Sequence, residues 1–149
     1  MGVAELLWDL LGNWSGVEEQ SASPFAPGAR TRAMLTFKQD LAGTAVLQDY
    51  RQVRDDGEEF LAHGVLLADA DEPGAVLWWL FDSVGQPPGA ARGTWSDGRL
   101  ALVRTSPRGS AHHTFALDGP RLAYAIDLEL ADQPRTPFLR GRYARVSGH

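Results

Sequence analysis

The sequence predicts a mainly β protein: a closed antiparallel up-and-down barrel of about ten strands behind a short N-terminal helix. Three observations predict it. From Gly16 onward the apolar residues recur with period two, the strand period. Three Asp-Gly pairs, Asp56-Gly57, Asp97-Gly98 and Asp118-Gly119, each separate two such runs. Tight hairpin turns need positive φ, which makes Asp-Gly a strong hairpin signal. The prolines fall in the connections and not inside the runs. A meander of short strands exposes two edges, and closing the sheet removes them.

The helix comes first. Val3, Leu6, Leu7, Leu10 and Leu11 share one helical face, and Gly12 is placed to end the helix. So short a helix is unstable alone and must dock, with Trp8 the expected anchor. The strands follow at Trp14–Ser21, Ala29–Gln39, Thr44–Arg54, Glu58–Asp69, Ala75–Asp82, Ala91–Trp95, Arg99–Thr105, Ser110–Leu117, Arg121–Leu130 and Phe138–Val146. Gly-, Pro- and Asp-rich connections separate them, among them residues 23–28, 71–74, 85–89 and 106–109. No linker or repeat divides the 149 residues, so 1–149 reads as a single barrel domain.

Composition excludes several classes of function. There is no cysteine, hence no disulfide, thiolate metal site or Cys nucleophile. The net charge of −5, from 14 basic and 19 acidic residues, argues against a nucleic-acid partner, which needs a basic footprint. No apolar run approaches membrane-spanning length, and the first residues lack the basic start of a secretory signal. The expected setting is therefore cytoplasmic. Nucleophile-elbow, zinc-protease, dinucleotide and phosphate-loop motifs are all missing.

A barrel this size is either filled by side chains or encloses one ligand. Leu122, Tyr124, Ile126, Leu128 and Leu130 segregate cleanly from Ala123, Ala125, Asp127 and Glu129. In Thr44–Arg54, by contrast, Gln48, Tyr50 and Gln52 oppose Leu47, Asp49, Arg51 and Val53, so neither face is purely apolar. Mixed strands suit a partly polar interior and favour a cavity.

The Gly12-Asn13-Trp14 start after a short helix resembles the Gly-x-Trp opening of calycins, the lipocalin and fatty-acid-binding barrels. The resemblance implies that Trp14 plugs one barrel end and that Arg145, or failing that Arg142, covers it. More closely, the chain is similar to the bacterial family called domain of unknown function 1579. That likeness runs along Leu11-Gly12-Asn13-Trp14-Ser15-Gly16, Leu47-Gln48-Asp49-Tyr50, His63-Gly64-Val65, Phe81-Asp82-Ser83-x-Gly85, Gly93-Thr94-Trp95 and Gly141-Arg142-Tyr143. It implies a closed barrel of about ten strands without an assigned activity. A more distant likeness is to nitrobindins, ten-stranded haem barrels, through Gly12, Trp14 and Gly16. Their axial histidine comes from near the C-terminal end. Phe138–Val146 has none, and His149 lies beyond that strand, so no cofactor is expected.

The expected ligand is small and apolar or aromatic, with a carboxylate as an optional feature. Tyr50, Trp95 and one of Trp78 and Trp79 are candidates to stack it, with Trp79 preferred. The outward tryptophan packs under the N-terminal helix or in a homodimer contact. Asp82 closes its strand at the rim and can orient a ligand, or simply bond the Ser83–Gly85 turn. His63 and His113 each share a strand face with apolar neighbours and are expected to face inward. Together with a carboxylate they could hold a metal, although two independent histidines fit the pattern better. Arg140, with Arg92 and Arg142, is a candidate to hold a carboxylate. The alternative function is an acid–base enzyme of isomerase or cyclase type, using a His/Asp pair in the cavity with no catalytic residue assigned.

Overall fold

The computed structural model describes residues 2–22, 27–85 and 89–146. Parts of the connections expected at 23–28 and 85–89, and His149, lie outside the described residues. The chain opens with α1 (Val3–Leu6) and a single 3-10 turn, Trp8–Leu10. Ten strands follow: β1 (Gly12–Gln20), β2 (Ala29–Asp40), β3 (Ala45–Val53), β4 (Glu59–Ala68), β5 (Ala75–Asp82), β6 (Ala90–Ser96), β7 (Arg99–Ser106), β8 (Gly109–Asp118), β9 (Arg121–Leu130) and β10 (Thr136–Arg145). Each pairs antiparallel with its neighbours in sequence, and β1 pairs with β10 to close the barrel. The expected strands match in order and number, β5 and β9 to the residue. Period-two patterning cut by turn chemistry was therefore enough to locate them.

The hairpin signal holds in detail. Asp97 and Gly98 both have positive φ, 52° and 76°, as a two-residue type I′ turn requires. In the other two Asp-Gly pairs only the glycine does, Gly57 at 87° and Gly119 at 58°.

The helix departs from expectation. It breaks at Leu7 and continues only as the 3-10 turn. Val3, Leu7 and Leu10 are fully buried, whereas Trp8 is 63% exposed. Trp8 is therefore not the anchor. The aliphatic residues spaced four and three apart hold the helix, and Trp8 lies on the opposite face.

Strand parity sorts the interior. Trp14, Gly16, Glu18 and Gln20 of β1 point inward, as do Val46, Gln48, Tyr50 and Gln52 of β3 and Leu122, Tyr124, Ile126 and Leu128 of β9. A register shift between Pro137 and Leu139 resets the parity of β10, so Leu139, Gly141 and Tyr143 point inward. The end near the helix is solid. Trp14, Leu35, Phe37, Leu66, Leu100, Leu102, Phe115 and Leu122 all lie below 2% exposure. Phe37 meets Phe115 edge to face at 5.5 Å. Each such side chain contributes roughly 1.5–3 kcal/mol on burial. The other end is hollow.

Candidate functional site

At the solid end, Trp14 donates its indole N–H to the Leu10 carbonyl at 3.0 Å. The Arg145 guanidinium lies 4.2 Å from the Trp14 ring centroid and donates to the Leu11 and Asp9 carbonyls. Those carbonyls sit where the helix ends and would otherwise lack donors. Arg145 thus ties the helix to the indole beneath it.

Above this floor lies a buried polar layer. Glu18 has no solvent exposure. Its carboxyl group accepts from the Tyr50 and Tyr143 hydroxyls and, at 2.9 Å, from the Gln52 amide. Burial first, and then the Glu18 charge, push the Tyr50 and Tyr143 hydroxyls well above the ordinary phenol range, so both remain donors. Beside it, the Trp78 N–H donates to Gln48 at 3.0 Å. Gly64 makes room for that bond: a Cβ there would sit 2.3 Å from the Gln48 Oε1 and 2.7 Å from the Trp78 Nε1.

On the far wall, Tyr124 stacks on Phe115 with centroids 4.2 Å apart. Its hydroxyl bonds the His113 Nδ1 at 2.7 Å. Burial, then Arg104, then His112 pull the His113 pKa down to about 3, so the imidazole is neutral. Burial raises the Tyr124 hydroxyl well above 10, and His113 is its only hydrogen-bond partner among the described residues. The phenol therefore donates to Nδ1, which puts the imidazole proton on Nε2.

Over this layer opens a cavity of about 430 Å³. Its apolar wall includes Phe60, Leu80, Ile126, Leu128 and Phe138; its polar groups are Gln20, Tyr50, Gln52, Arg54, Asp82, Arg104 and His113. A larger hollow of about 890 Å³ lies outside the barrel at the solid end, bordered by Trp8, Asn13, Lys38 and Arg145. It faces the outside of the packed core and has no buried polar group on its border among the described residues. The inner cavity is therefore the candidate site.

Of the nominated residues, Tyr50, Asp82 and His113 meet in this cavity. Asp82 also accepts from the Val84 N–H at 3.1 Å, the turn bond expected of it. The remaining nominations require correction. His63 faces outward, its side chain 75% exposed and paired with Asp49. Ala62, Gly64 and Leu66 hold the inward parity of β4, and the outward Leu61 and Val65 made the wrong face look apolar. His63 and His113 thus lie on opposite sides of the wall and cannot share a metal. Trp78, not Trp79, is the inward member of its pair, at 1% exposure. Arg140 faces outward and pairs with Asp127 at 2.6 Å, because the bulge in β10 shifts its parity. Arg92 pairs with Asp69 at 3.0 Å on the outside, and Arg142 is exposed. His112 likewise pairs with Glu129 outside.

Sequence reasoning missed Glu18, Tyr143 and Arg104. Parity could have found each of them. Glu18 lies four residues from the inward Trp14, Tyr143 two from the inward Gly141, and Arg104 two from the inward Leu102.

No protein-family model matches the chain, and no curated protein matches it. Solved structures do. The crystal structure of Rv2717c from M. tuberculosis superposes with a TM-score of 0.76 at 19% identity, covering 95% of this chain and 97% of that one. The S-type phycobiliprotein lyase CpeS from Guillardia theta superposes with a TM-score of 0.73 at 13% identity, covering 100% of this chain and 95% of that one. At these identities the likeness is one of fold: this chain shares a closed ten-stranded antiparallel barrel with them.

Proposed function

We propose that this protein is a small-molecule binding barrel, a member of the family with domain of unknown function 1579, whose ligand has an apolar or aromatic body. The observation that carries this reading is the half-filled interior: a packed floor, then about 430 Å³ of space with an apolar wall and a few polar groups. Kept dry, that space would cost on the order of 10 kcal/mol at about 24 cal/mol per Å³, comparable to the whole stability of a domain. It must therefore hold water or a guest. The wall of Leu80, Ile126, Leu128 and Phe138 gives water few partners and gives an apolar guest contact. The likeness to a phycobiliprotein lyase supports testing chromophore-sized guests. Haem fits poorly, since no described β10 residue is a histidine.

Native mass spectrometry with the neutral dye N-phenylnaphthylamine tests the reading. One dye per chain is expected, and none after Ile126→Trp fills the cavity. Equal uptake by both proteins, or by neither, would contradict it.

A second reading, acid–base catalysis of isomerase or cyclase type, rests on His113 and Asp82 lining the same cavity. It predicts turnover of a bound compound that His113→Gln abolishes without loss of binding.

A further inference from the structure

We propose that the ligand carries an oxyanionic group, a carboxylate or its sulfonate equivalent, and that Arg104 is its anchor, with the His113 Nε2–H as second donor. This rests on the reading of the cavity as a ligand site and specifies what that site selects.

Among the described residues, two arginines line the cavity, Arg104 and, at its rim, Arg54. Neither side chain has a hydrogen-bond or ion-pair partner among the described residues. The inward Arg104 guanidinium rests 5.9 Å from the Trp78 ring centroid, and the His113 ring lies 4.9 Å from the same indole. Leu102 pairs with His113 and Arg104 with Ala111 across β7 and β8, so Arg104 and His113 are diagonal neighbours on the inner face. The indole seats the cation, and the Tyr124 hydroxyl orients the imidazole. Two donors on one wall then face the same space, and neither has an acceptor among the described residues.

That contrasts with the rest of the molecule. Arg51, Arg92, Arg135 and Arg140 all pair with carboxylates on the outer face, and Arg145 is satisfied by backbone carbonyls. The other described arginines without such a partner, Arg30, Arg32, Arg99, Arg108, Arg121 and Arg142, are exposed and solvated, whereas Arg104 and Arg54 are partly buried. The one carboxylate on the cavity wall among the described residues, Asp82, is engaged by the Val84 N–H. A partly buried guanidinium without a counterion is a ready site for an oxyanion that offers two oxygens, which it can hold through two parallel bonds. The protein's net charge of −5 repels anions in general, so a preference for an anionic guest must come from local groups.

The test compares two dyes with one skeleton, anilinonaphthalene sulfonate and its desulfonated parent, N-phenylnaphthylamine, in fluorescence titrations. The sulfonate is expected to bind more tightly. Arg104→Gln should weaken the sulfonate roughly tenfold to a hundredfold and the neutral dye less than about twofold. Arg104→Lys should recover part of the loss, and thermal unfolding should show that the variants fold. Arg54→Gln should have a smaller effect, and Arg92→Gln, on the outer face, none. Equal affinities for the two dyes, equal losses of both in Arg104→Gln, or equal effects of Arg92→Gln and Arg104→Gln would overturn the anion site while leaving the cavity as a binding site. Binding of neither dye would overturn both.

Discussion

Two arginine–tryptophan pairs sit at opposite ends of one barrel, and they differ in what completes them. At the solid end Arg145 lies 4.2 Å over Trp14, and its remaining donors are taken by the Leu11 and Asp9 carbonyls. At the hollow end Arg104 lies 5.9 Å over Trp78, and its donors have no acceptor among the described residues. The same contact is structural where the chain supplies every partner and receptive where it leaves one out. Cation–π attraction of about 0.5–2 kcal/mol serves both ends. What separates them is the state of the hydrogen bonds.

The comparison can be broken first at Trp14. Trp14→Ala should destabilise the fold by about 3–5 kcal/mol in urea unfolding, since it empties the floor and strips the Leu10 carbonyl of its donor. A loss under about 1 kcal/mol would mean that the solid end is not held by its plug. Glu18, between the two ends, comes next. Glu18→Leu leaves Tyr50, Tyr143 and Gln52 without their shared acceptor, and should cost roughly 2–4 kcal/mol. Glu18→Gln, which keeps an acceptor oxygen, should cost less.

The pH dependence of stability sharpens the contrast further. The His113 pKa is lowered to about 3 by burial, Arg104 and His112, while the unfolded chain titrates near 6.5. Between those values the unfolded state binds more protons. Stability from this group is therefore present above about 6.5 and is lost as pH falls toward 3. From pH 6.5 to 5 the loss should be roughly 1–2 kcal/mol, and His113→Gln, which keeps an acceptor for Tyr124, should flatten that slope. An unchanged slope would place the titration elsewhere. The smallest expected effects compare the two arginines directly. Arg145→Gln should lower stability by about 1 kcal/mol and Arg104→Gln by less than about 0.5 kcal/mol, because only Arg145 satisfies backbone groups.

The barrel was legible because its determinants are local. Asp97-Gly98 writes a type I′ turn, and alternation along β9 writes a face. The site was legible only in part. Tyr50, Asp82 and His113, nominated because aromatic, acidic and imidazole groups stand out along any strand, lie on the cavity wall. His63, Trp79 and Arg140 were misplaced because inward and outward are decided by parity, and parity is obscured in two ways here. Aliphatic side chains such as Leu61 and Val65 decorate the outer face of β4, and the bulge near Leu139 resets β10. Glu18 was missed because a glutamate beside Glu19 reads as solvated charge. The donors that the fold brings from β3 and β10, Tyr50, Gln52 and Tyr143, make its burial tolerable.

A co-crystal structure with N-phenylnaphthylamine distinguishes the inner cavity from the outer groove, because each end of the barrel offers a hollow. The account predicts the naphthyl ring among Leu80, Ile126, Leu128 and Phe138, inside the wall and below Arg104. Dye seated only in the outer groove beside Trp8 and Arg145, with the inner cavity filled by ordered water alone, would contradict it.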